Sequence, residues 1–376
     1  MHIEAAALLI LPALTVPVAA DELTYVLDPD GERPPQRVVA DNACAWPNLT
    51  VLPNGDIVAV IFNSPYHANT IGDVECWGTG DNGETWSLRG VPAVHDPEHS
   101  NRMNVAAGLA HNGDLIVISS GWELKMNPQP PEGEVWTGGL VRVLEPWVCR
   151  SADGGRTWQV DRDAMPDVAL TGGLSPDATP PIPFGDIFRC PDGSLRVAAY
   201  ARIANEPERL RRAWVYRSDD DGLTWGQPIP INPEGNHSEV ALLPLGEGRW
   251  LAAARSPGLQ LYLSEDDCAT WQHRMRLPVG GYPAHLVRLG SGRIVLSVGT
   301  RSGEERATRV FYSDDEGESW SRPYVVAAYF SDGGYPSTVE LPDARALTAY
   351  YARSTVDHPR YHLGVVIWDP ATTFAQ

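Results

Sequence analysis

Ionisable side chains stand at the ends of several apolar runs in this chain. Glu239 begins the run EVALL, and Arg255 directly follows three alanines. Glutamate is rarely buried without a partner, so Glu239 at the start of an apolar strand indicates either a solvated rim or a binding pocket. Arg255 projects from a strand end, where it can form a surface salt bridge or bind an anionic ligand. In one pocket, the carboxylate could take up a proton and the guanidinium could hold an acidic group.

Other polar residues occupy matching places at the starts of apolar runs. As a set we expect them to line the same pocket: Asp186, His237, Tyr282 and His285. His237, Glu239 and His285 could in principle ligate a metal, but their spacing matches no metal-site signature. The five cysteines show no metal-ligand spacing either. We therefore predict neither a metal nor another cofactor.

A hairpin pattern recurs six times and contains these residues. Each copy has an apolar run, a short turn and a second apolar run, which predicts a β-hairpin. The turn contains Gly in five copies, and Ala344 takes the place of Gly in the last. The six segments are Asn48–Val60, Asn104–Ser119, Asp186–Ala199, Glu239–Ala254, His285–Val298 and Thr338–Tyr350.

A second repeat, Ser/Thr-x-Asp-x-Gly-x-Ser/Thr-Trp, follows five of the hairpins. Its Asp and Ser/Thr side chains can bond nearby backbone N–H groups, its Gly allows a positive φ, and its Trp buries a large ring. We interpret each copy as a structural turn on the outer hairpin of a repeat. The copies are Thr79–Trp86, Ser151–Trp158, Ser218–Trp225, Ser264–Trp271 and Ser313–Trp320.

Six repeats of about four strands predict an all-β fold, a six-bladed β-propeller with these Asp-containing turns. We expect a single propeller domain over residues 21–376. Ring closure would pair residues 21–27 or 36–40 with the last blade. Two Pro/Gly-rich insertions, Glu123–Gly139 and Val168–Pro183, interrupt the repeats, and we expect them to lie over one face.

The N-terminal run Ala5–Ala20 ends in Val-Ala-Ala, which predicts a signal peptide over residues 1–20 and a secreted or periplasmic protein. The residues before it include Glu4 and no Lys or Arg, which is atypical, so a cytoplasmic protein is the alternative. In an exported protein Cys44 and Cys76 could pair. Buried free thiols are the other interpretation.

The net charge of −19 argues against nucleic acid and against an anionic membrane surface as partners. It does not argue against a small acidic substrate, because a pocket can be locally basic. No later run is long enough to span a bilayer, so no membrane insertion is predicted. The sequence makes no prediction about the oligomeric state.

The Asp-containing turns and the six hairpins together resemble the sialidase (neuraminidase) superfamily, whose repeats are named Asp-boxes or BNR repeats. The resemblance covers roughly residues 40–370. It implies a central pocket with a Tyr nucleophile partnered by a Glu, an Asp acid/base, and three Arg that hold the substrate carboxylate. Other carbohydrate-active propellers and non-catalytic propellers carry the same turns, so the fold alone does not give the activity.

Three of these roles are assigned by the resemblance. Asn236–Glu239 followed by Arg255 is similar to the superfamily's Glu-bearing strand and its second arginine. Gly333–Ser337 is similar to the segment that carries the nucleophilic Tyr, so Tyr335 and Glu239 are the implied pair. A phenol needs help to attack, and an adjacent carboxylate supplies it by taking the proton.

The other two arginines follow the superfamily pattern less closely. For the third arginine we select Arg306, with Arg301 and Arg309 as alternatives. The superfamily has Arg-Ile-Pro in the first blade, whereas this chain has AWP at Ala45–Pro47, so the first arginine is missing. Arg102 in the second blade could supply the lost positive charge.

The acid/base position also departs from the pattern. It falls near residues 67–69, where there is no Asp, and the nearest carboxylate is Asp73. His67 could replace the Asp, because a His that titrates near neutral pH can act as a general acid.

These residues predict an exo-glycosidase that hydrolyses a terminal acidic sugar, sialic acid by default, with a Tyr/Glu nucleophile pair. The missing arginine and the His-rich rim leave a second possibility, a hydrolase or lyase of uronate- or rhamnose-containing polysaccharide. A non-catalytic glycan-binding propeller is the third. In each case the expected partner is a glycan or a small acidic sugar.

Overall fold

Twenty-four β-strands and one short helix make up the secondary structure of the described residues. The computed structural model describes residues 23–125, 139–165, 178–203, 210–280, 282–301 and 306–376. The predicted signal peptide and most of both predicted insertions lie outside these ranges. No helix in the described part of the chain is long and apolar enough to cross a membrane.

The strands form six antiparallel four-stranded units, which we call blades one to six. Blade one contains β2 (Asn48–Val51), β3 (Ile57–Phe62), β4 (Val74–Thr79) and β5 (Ser87–Ala93). Blade two contains β6 (Ser100–Leu109), β7 (Leu115–Lys125), β8 (Gly139–Ser151) and β9 (Gln159–Asp161). Blade three contains β10 (Ile182–Arg189), β11 (Leu195–Arg202), β12 (Arg211–Ser218) and β13 (Gly226–Pro230).

The remaining three blades follow the same plan. Blade four contains β14 (Val240–Gly246), β15 (Arg249–Ser256), β16 (Gly258–Ser264) and β17 (Gln272–Leu277). Blade five contains β18 (Ala284–Arg288), β19 (Ile294–Thr300), β20 (Ala307–Ser313) and β21 (Tyr324–Ala328). Blade six contains β22 (Gly333–Glu340), β23 (Ala346–Arg353), β24 (Tyr361–Trp368) and, at its outer edge, β1 (Arg37–Asp41). The helix α1 (Pro370–Phe374) follows.

The first strands of the blades contact one another in the cyclic order β2, β6, β10, β14, β18, β22 and back to β2. β1 pairs antiparallel with β24, so an N-terminal segment supplies the outermost strand of the last blade. This is the second of the two closures expected from the sequence, while Tyr25 instead forms a bridge with Val325 of blade five. The predicted all-β six-bladed propeller is confirmed.

The shared frame of the Asp-containing turns makes one hydrogen-bond pattern. Ser151 Oγ donates to Asp153 Oδ1 over 2.8 Å, and the carboxylate accepts from the backbone N–H and the hydroxyl of Thr157 over 2.9 and 2.6 Å. These bonds from Thr157 hold the pKa of Asp153 well below its usual range. Asp81, Asp220, Asp266 and Asp315 make the same two bonds four residues along.

The turns also join neighbouring blades through their glycines. Gly155 has a φ of +94°, and a Cβ there would lie 2.6 Å from the Cys76 Sγ of blade one. Gly83 has a φ of +92°, and a Cβ there would overlap the Leu347 side chain of blade six. Glycine meets both the backbone and the packing requirement in these two turns. In the fourth copy Cys268 takes the equivalent place, with a φ of +71°. All five cysteines lie in the described ranges, and each is buried and free, so Cys44 and Cys76 are not paired.

Candidate active site

An open pocket of about 260 Å³ lies where the first strands of the blades begin and the second strands end. Its wall comes from blades one to four and blade six. Among the residues that line it are Trp46, His67, Asn104, Trp122, Tyr200, Arg202, Arg211, Glu239, Arg255 and Tyr335. The set combines three guanidinium groups, one carboxylate and several aromatic rings, which suits a ligand that is both cyclic and anionic.

Tyr335, Glu239 and Arg255 form a closed triangle of hydrogen bonds in this pocket. Tyr335 Oη donates to Glu239 Oε1 over 2.7 Å. Arg255 Nη1 donates to the same oxygen over 2.9 Å and to Tyr335 Oη over 3.1 Å. Glu239 is only 3% exposed, and its Oε2 has no hydrogen-bond partner among the described residues. The phenol proton therefore points at a buried carboxylate that can accept it.

The charges around this triangle separate the two pKa values. Burial opposes ionisation of Glu239, but the positive charge of Arg255 and the hydrogen bonds that the carboxylate accepts outweigh it and lower its pKa. For Tyr335, burial and the negative charge of Glu239 raise the pKa well above its usual value. At neutral pH Glu239 is thus ionised and Tyr335 is protonated, which is the starting state for base-assisted attack by a hydroxyl.

The backbone at Tyr335 is strained. Its φ is +49°, and it lies in an irregularity of the β22–β23 pairing between Gly334 and Ser337. A positive φ at a bulky residue costs about 1–3 kcal/mol and persists only where the surroundings enforce it. Trp46, Ala68 and Asn104 also have positive φ and line the pocket. Four residues of the pocket wall therefore have a backbone conformation that non-glycine residues rarely adopt, and functional sites are a common place for such residues.

Of the candidates for the third arginine, the structure brings Arg301 rather than Arg306 next to Tyr335. The Arg301 guanidinium carbon lies 5.4 Å from the Tyr335 ring centre, and its Nε donates to Gly333 O over 2.8 Å. Arg306 instead donates to the carbonyl oxygens of Arg301 and Phe330, over 3.1 and 2.5 Å. Those bonds direct Arg306 to the loop backbone, and it is not part of the pocket wall.

Arg102 and Asp73 also lie outside the pocket wall. The Arg102 guanidinium covers the Trp147 ring at 3.5 Å and donates to Glu145 O over 2.8 Å, and burial lowers its pKa to about 10. Asp73 Oδ1 accepts from the backbone N–H of His95 and faces its Nδ1, both over 2.7 Å. Local packing and turn contacts account for both residues.

His67 does line the pocket, and it has a carboxylate behind it. Its Nδ1 lies 2.7 Å from Asp332 Oδ2, while its ring meets Trp46 edge-on at 5.0 Å. Burial opposes ionisation of Asp332, but hydrogen bonds and charges from His67, Arg301 and Tyr361 lower its pKa to about 2. Asp332 therefore accepts from Nδ1–H, and the Nε2 atom of His67 is left for a ligand.

The residues predicted as a lining set lie in different surroundings. Asp186 Oδ2 accepts from His285 Nε2 over 3.1 Å, and His285 Nδ1 accepts from the Thr338 N–H. This pair adjoins a separate cavity of about 20 Å³, which His285 lines. His237 Nε2 lies 2.8 Å from Tyr262 Oη, and burial lowers the pKa of His237 to about 4. The structure thus does not bring Asp186, His237 or His285 into the large pocket.

Tyr282 stands beside the arginines rather than in the wall. Its ring centre lies 4.7 Å from the Arg301 guanidinium carbon and 5.6 Å from that of Arg255. A neutral aromatic face at these distances favours both cations and restricts their orientation.

Comparison with known proteins places this architecture in a family. Residues 129–348 match the family described as a BNR repeat-like domain. The chain belongs to the BNR-repeat family. The predicted relationship to the sialidase and BNR-repeat superfamily is thereby confirmed.

Solved structures share the fold at low sequence identity. A Dyadobacter fermentans protein of unknown function matches 89% of this chain and 98% of its own at 20% identity, with a TM-score of 0.72. The Hadza microbial sialidase matches 87% of this chain at 17% identity and a TM-score of 0.66. A Trypanosoma rangeli sialidase in complex with 2,3-difluorosialic acid matches 94% at 17% identity and a TM-score of 0.63. This BNR-repeat chain spans 66% and 57% of those two sialidases.

Sequence reasoning missed several residues of the BNR-repeat pocket. Trp46, which follows the position of the missing arginine, forms a wall by stacking on Phe62 at 5.4 Å. Asp332 lies in a polar run, SDGG, that carries no signal of its own. Arg202 did have a signal, because it ends an apolar run as Arg255 does. Arg211 begins the next strand and reaches the pocket only through its pairing with β11.

A possible metal cluster of this BNR-repeat protein is better explained by hydrogen bonding. Cys44, His67 and Asp332 each have one ligand atom within 4.8 Å of the others. Arg301 Nε lies 2.9 Å from Asp332 Oδ1 and already neutralises it. Burial raises the pKa of the Cys44 thiol well above its usual value, which keeps it protonated.

Proposed function

We propose that this BNR-repeat protein is a retaining exo-glycosidase that hydrolyses a terminal acidic sugar, with Tyr335 as nucleophile and Glu239 as its base. The observation that carries the proposal is the 2.7 Å hydrogen bond from Tyr335 Oη to the buried Glu239 Oε1, inside an open pocket. A carboxylate this close can take the phenol proton as the oxygen attacks. The family and the fold support a glycosidase-like function at the level of the superfamily.

The first step forms a glycosyl–tyrosine bond. Tyr335 Oη attacks the anomeric carbon, its proton moves to Glu239 Oε1, and the glycosidic C–O bond breaks. Arg255 donates to both reacting oxygens and stabilises the negative charge that passes between them. The leaving oxygen takes a proton from His67 Nε2. Asp332 holds the ring by accepting from Nδ1.

The second step returns the enzyme to its starting state. Neutral His67 takes a proton from water, and the resulting hydroxide attacks the anomeric carbon. The bond to Tyr335 breaks, and the phenolate recovers its proton from Glu239. Two displacements at one carbon retain its configuration. Asp73 lies outside the pocket wall, so His67 is the stronger candidate for the acid/base.

An acidic substrate is supported by the arginines. Three of them line the pocket of a chain whose net charge is −19, so the pocket is locally basic. Sialic acid is the default sugar because of the superfamily. The AWP segment favours a second candidate, a uronate-containing glycan, since Ala45 stands where the resembling superfamily carries its first arginine.

Replacement of Tyr335 by Phe tests the proposal. Chromogenic sialosides and uronides would be screened with the wild type, Tyr335→Phe and Tyr312→Phe, which removes a hydroxyl from blade five outside the pocket. We expect Tyr335→Phe to remove nearly all activity and Tyr312→Phe to leave it intact. A fluorinated glycosyl fluoride of the active sugar should label the peptide that contains Tyr335, as seen by mass spectrometry.

Three results would contradict the mechanism. Wild-type rates in Tyr335→Phe would exclude the nucleophile. An unsaturated product with new ultraviolet absorbance would indicate a lyase. Glycan binding without turnover across the screen would support the non-catalytic alternative.

A further inference from the structure

Two arginines of blade three stand directly opposite each other at the edge of the pocket. Arg202 ends β11 and Arg211 begins β12, and they are register partners in the antiparallel ladder. Both are half-buried, and both line the pocket that contains Glu239 and Tyr335. We call them the blade-three arginine pair. Like charges directly opposite in a ladder repel each other, so this arrangement is unfavourable unless something anionic offsets it.

The described part of the protein does not supply that anion to Arg211. No carboxylate oxygen of the described residues lies within 4.0 Å of its guanidinium nitrogens. Other arginines of the same blade do find carboxylates, as Arg196 and Arg217 do with Asp267 and Asp192. The backbone of Arg211 is held in place, because its N–H donates to Asn236 Oδ1 over 3.0 Å and its carbonyl accepts from the His237 N–H.

Aromatic groups surround the pair and connect it to the reacting triangle. The Arg202 guanidinium carbon lies 4.4 Å from the Trp122 ring centre, and Trp122 also lines the pocket. Tyr200 lies on the same strand as Arg202. Burial and the negative charge of Glu239 raise the pKa of Tyr200, while the nearby positive charges of Arg202, Arg255 and Arg211 act in the opposite direction. The pair is thus next to the triangle, on the side of blade three.

We propose that the blade-three arginine pair is a second anion-binding subsite, so that the ligand is a glycan with two anionic groups, one at Arg255 and one at Arg202 and Arg211. Two guanidinium groups facing one pocket can bind a carboxylate or a sulfate by charge-assisted hydrogen bonds. Trp122 packs against the Arg202 guanidinium and restricts its orientation at the edge of the pocket. The proposal rests on the pocket of the proposed function but not on the nucleophile.

Binding measurements on the full chain with Tyr335→Phe test the subsite without turnover. The probes are galacturonic acid, digalacturonic acid, its monomethyl ester, a neutral disaccharide and its monosulfate, each titrated by calorimetry. We expect digalacturonic acid to bind at least tenfold more tightly than its monomethyl ester. Arg211→Gln should abolish that advantage and leave the affinity for galacturonic acid within about twofold, because one charged hydrogen-bond donor is worth about tenfold or more.

Two further variants complete the design. Arg211→Lys keeps the charge and should restore part of the advantage, whereas Arg274→Gln, which removes an exposed positive charge outside the pocket, should change nothing. The monosulfate arm shows whether sulfate replaces carboxylate at the pair.

The proposal is wrong if digalacturonic acid binds no more tightly than its monomethyl ester, or if Arg211→Gln weakens the binding of all acidic probes equally. An unchanged preference for digalacturonic acid in Arg211→Gln would likewise contradict the proposal. The proposed function fails separately: wild-type turnover by Tyr335→Phe would exclude the nucleophile while leaving an Arg211-dependent preference intact.

Discussion

The contribution of Glu239 to the free energy of unfolding should change with pH in opposite directions in the wild type and in Arg255→Gln. In the native protein the pKa of Glu239 is lowered: burial opposes this, but Arg255 and the hydrogen bonds to the carboxylate prevail. A carboxyl group with a lowered pKa in the folded state contributes stability above its unfolded pKa. That contribution is lost as the pH falls through the folded pKa.

Without Arg255 the balance changes. Arg255 is the strongest of the interactions that favour ionised Glu239, and burial then dominates. The folded pKa rises above the unfolded one, so stability is present in mild acid and is lost as the pH rises through the raised pKa. At neutral pH we expect Arg255→Gln to cost about 1–3 kcal/mol, less than a fully buried pair, because the Arg255 side chain is 29% exposed.

The effect is measured by urea unfolding of four proteins: the wild type, Arg255→Gln, Glu239→Gln and the double variant. Each is unfolded near neutral pH and at about pH 4, just below the pKa of an unfolded glutamate. The difference between each protein and its Glu239→Gln counterpart isolates the carboxyl group. Acidification should lower this difference in the wild type and raise it in the Arg255→Gln background. The same sign in both backgrounds would refute the reasoning. Arg274→Gln, which breaks an exposed pair with Glu318, is the control and should show neither effect.

Three further predictions concern single residues. Burial lowers the pKa of His237 to about 4, so the folded state keeps the ring neutral while the unfolded state takes up a proton. The free energy of unfolding should therefore fall by about 3 kcal/mol as the pH drops from about 6.5 to 4. Urea unfolding should show that His237→Gln removes this contribution. Gly155→Ala should lower the Tm more than Gly193→Ala, since both glycines have positive φ but only Gly155 lacks room for a Cβ. Equal shifts in Tm would argue against close packing of the Gly155 turn on blade one. Asp332→Asn should reduce kcat by about a hundredfold with little change in KM, because Asp332 holds the His67 ring. It should change the pH profile of kcat as His67→Gln does. An unchanged pH profile would show that Asp332 does not position His67.

The blade pattern could be predicted from the sequence because it rests on local chemistry. Each hairpin and each Asp-containing turn is specified by residues within about ten positions of one another. The hairpin predicted over Asn48–Val60, for example, is formed by β2 and β3, which span Asn48–Val51 and Ile57–Phe62. Closure was harder, because two N-terminal segments suit an outer strand equally well, and only the structure shows that β1 pairs with β24.

The site could be predicted only where the superfamily pattern marks it. Tyr335 and Glu239 are 96 residues apart, and no local rule joins them. His67 and Asp332 are 265 residues apart, and the polar run around Asp332 is typical of any loop. Arg301 and Arg306 flank the same charged turn, and the local backbone decides which guanidinium faces Tyr335. Side-chain direction in an irregular segment is not encoded in spacing.

The substitution in blade one and the arginine pair in blade three have a combined consequence. Blade one lies across the ring from blade four, according to the cyclic order of the first strands. Ala45 stands at the place of the missing arginine, and the next residue, Trp46, presents a ring that packs on Phe62 and lies 5.8 Å from the Tyr335 ring. The positive charge of the pocket is therefore concentrated on blades three and four, around Arg211 and Arg255. Under the proposed function, an acidic group would bind on that side, and the apolar face of the sugar would pack on Trp46. Under the proposed mechanism, such a ligand would be oriented by Arg211, Arg255 and Trp46, with Tyr335 and Glu239 as nucleophile and base.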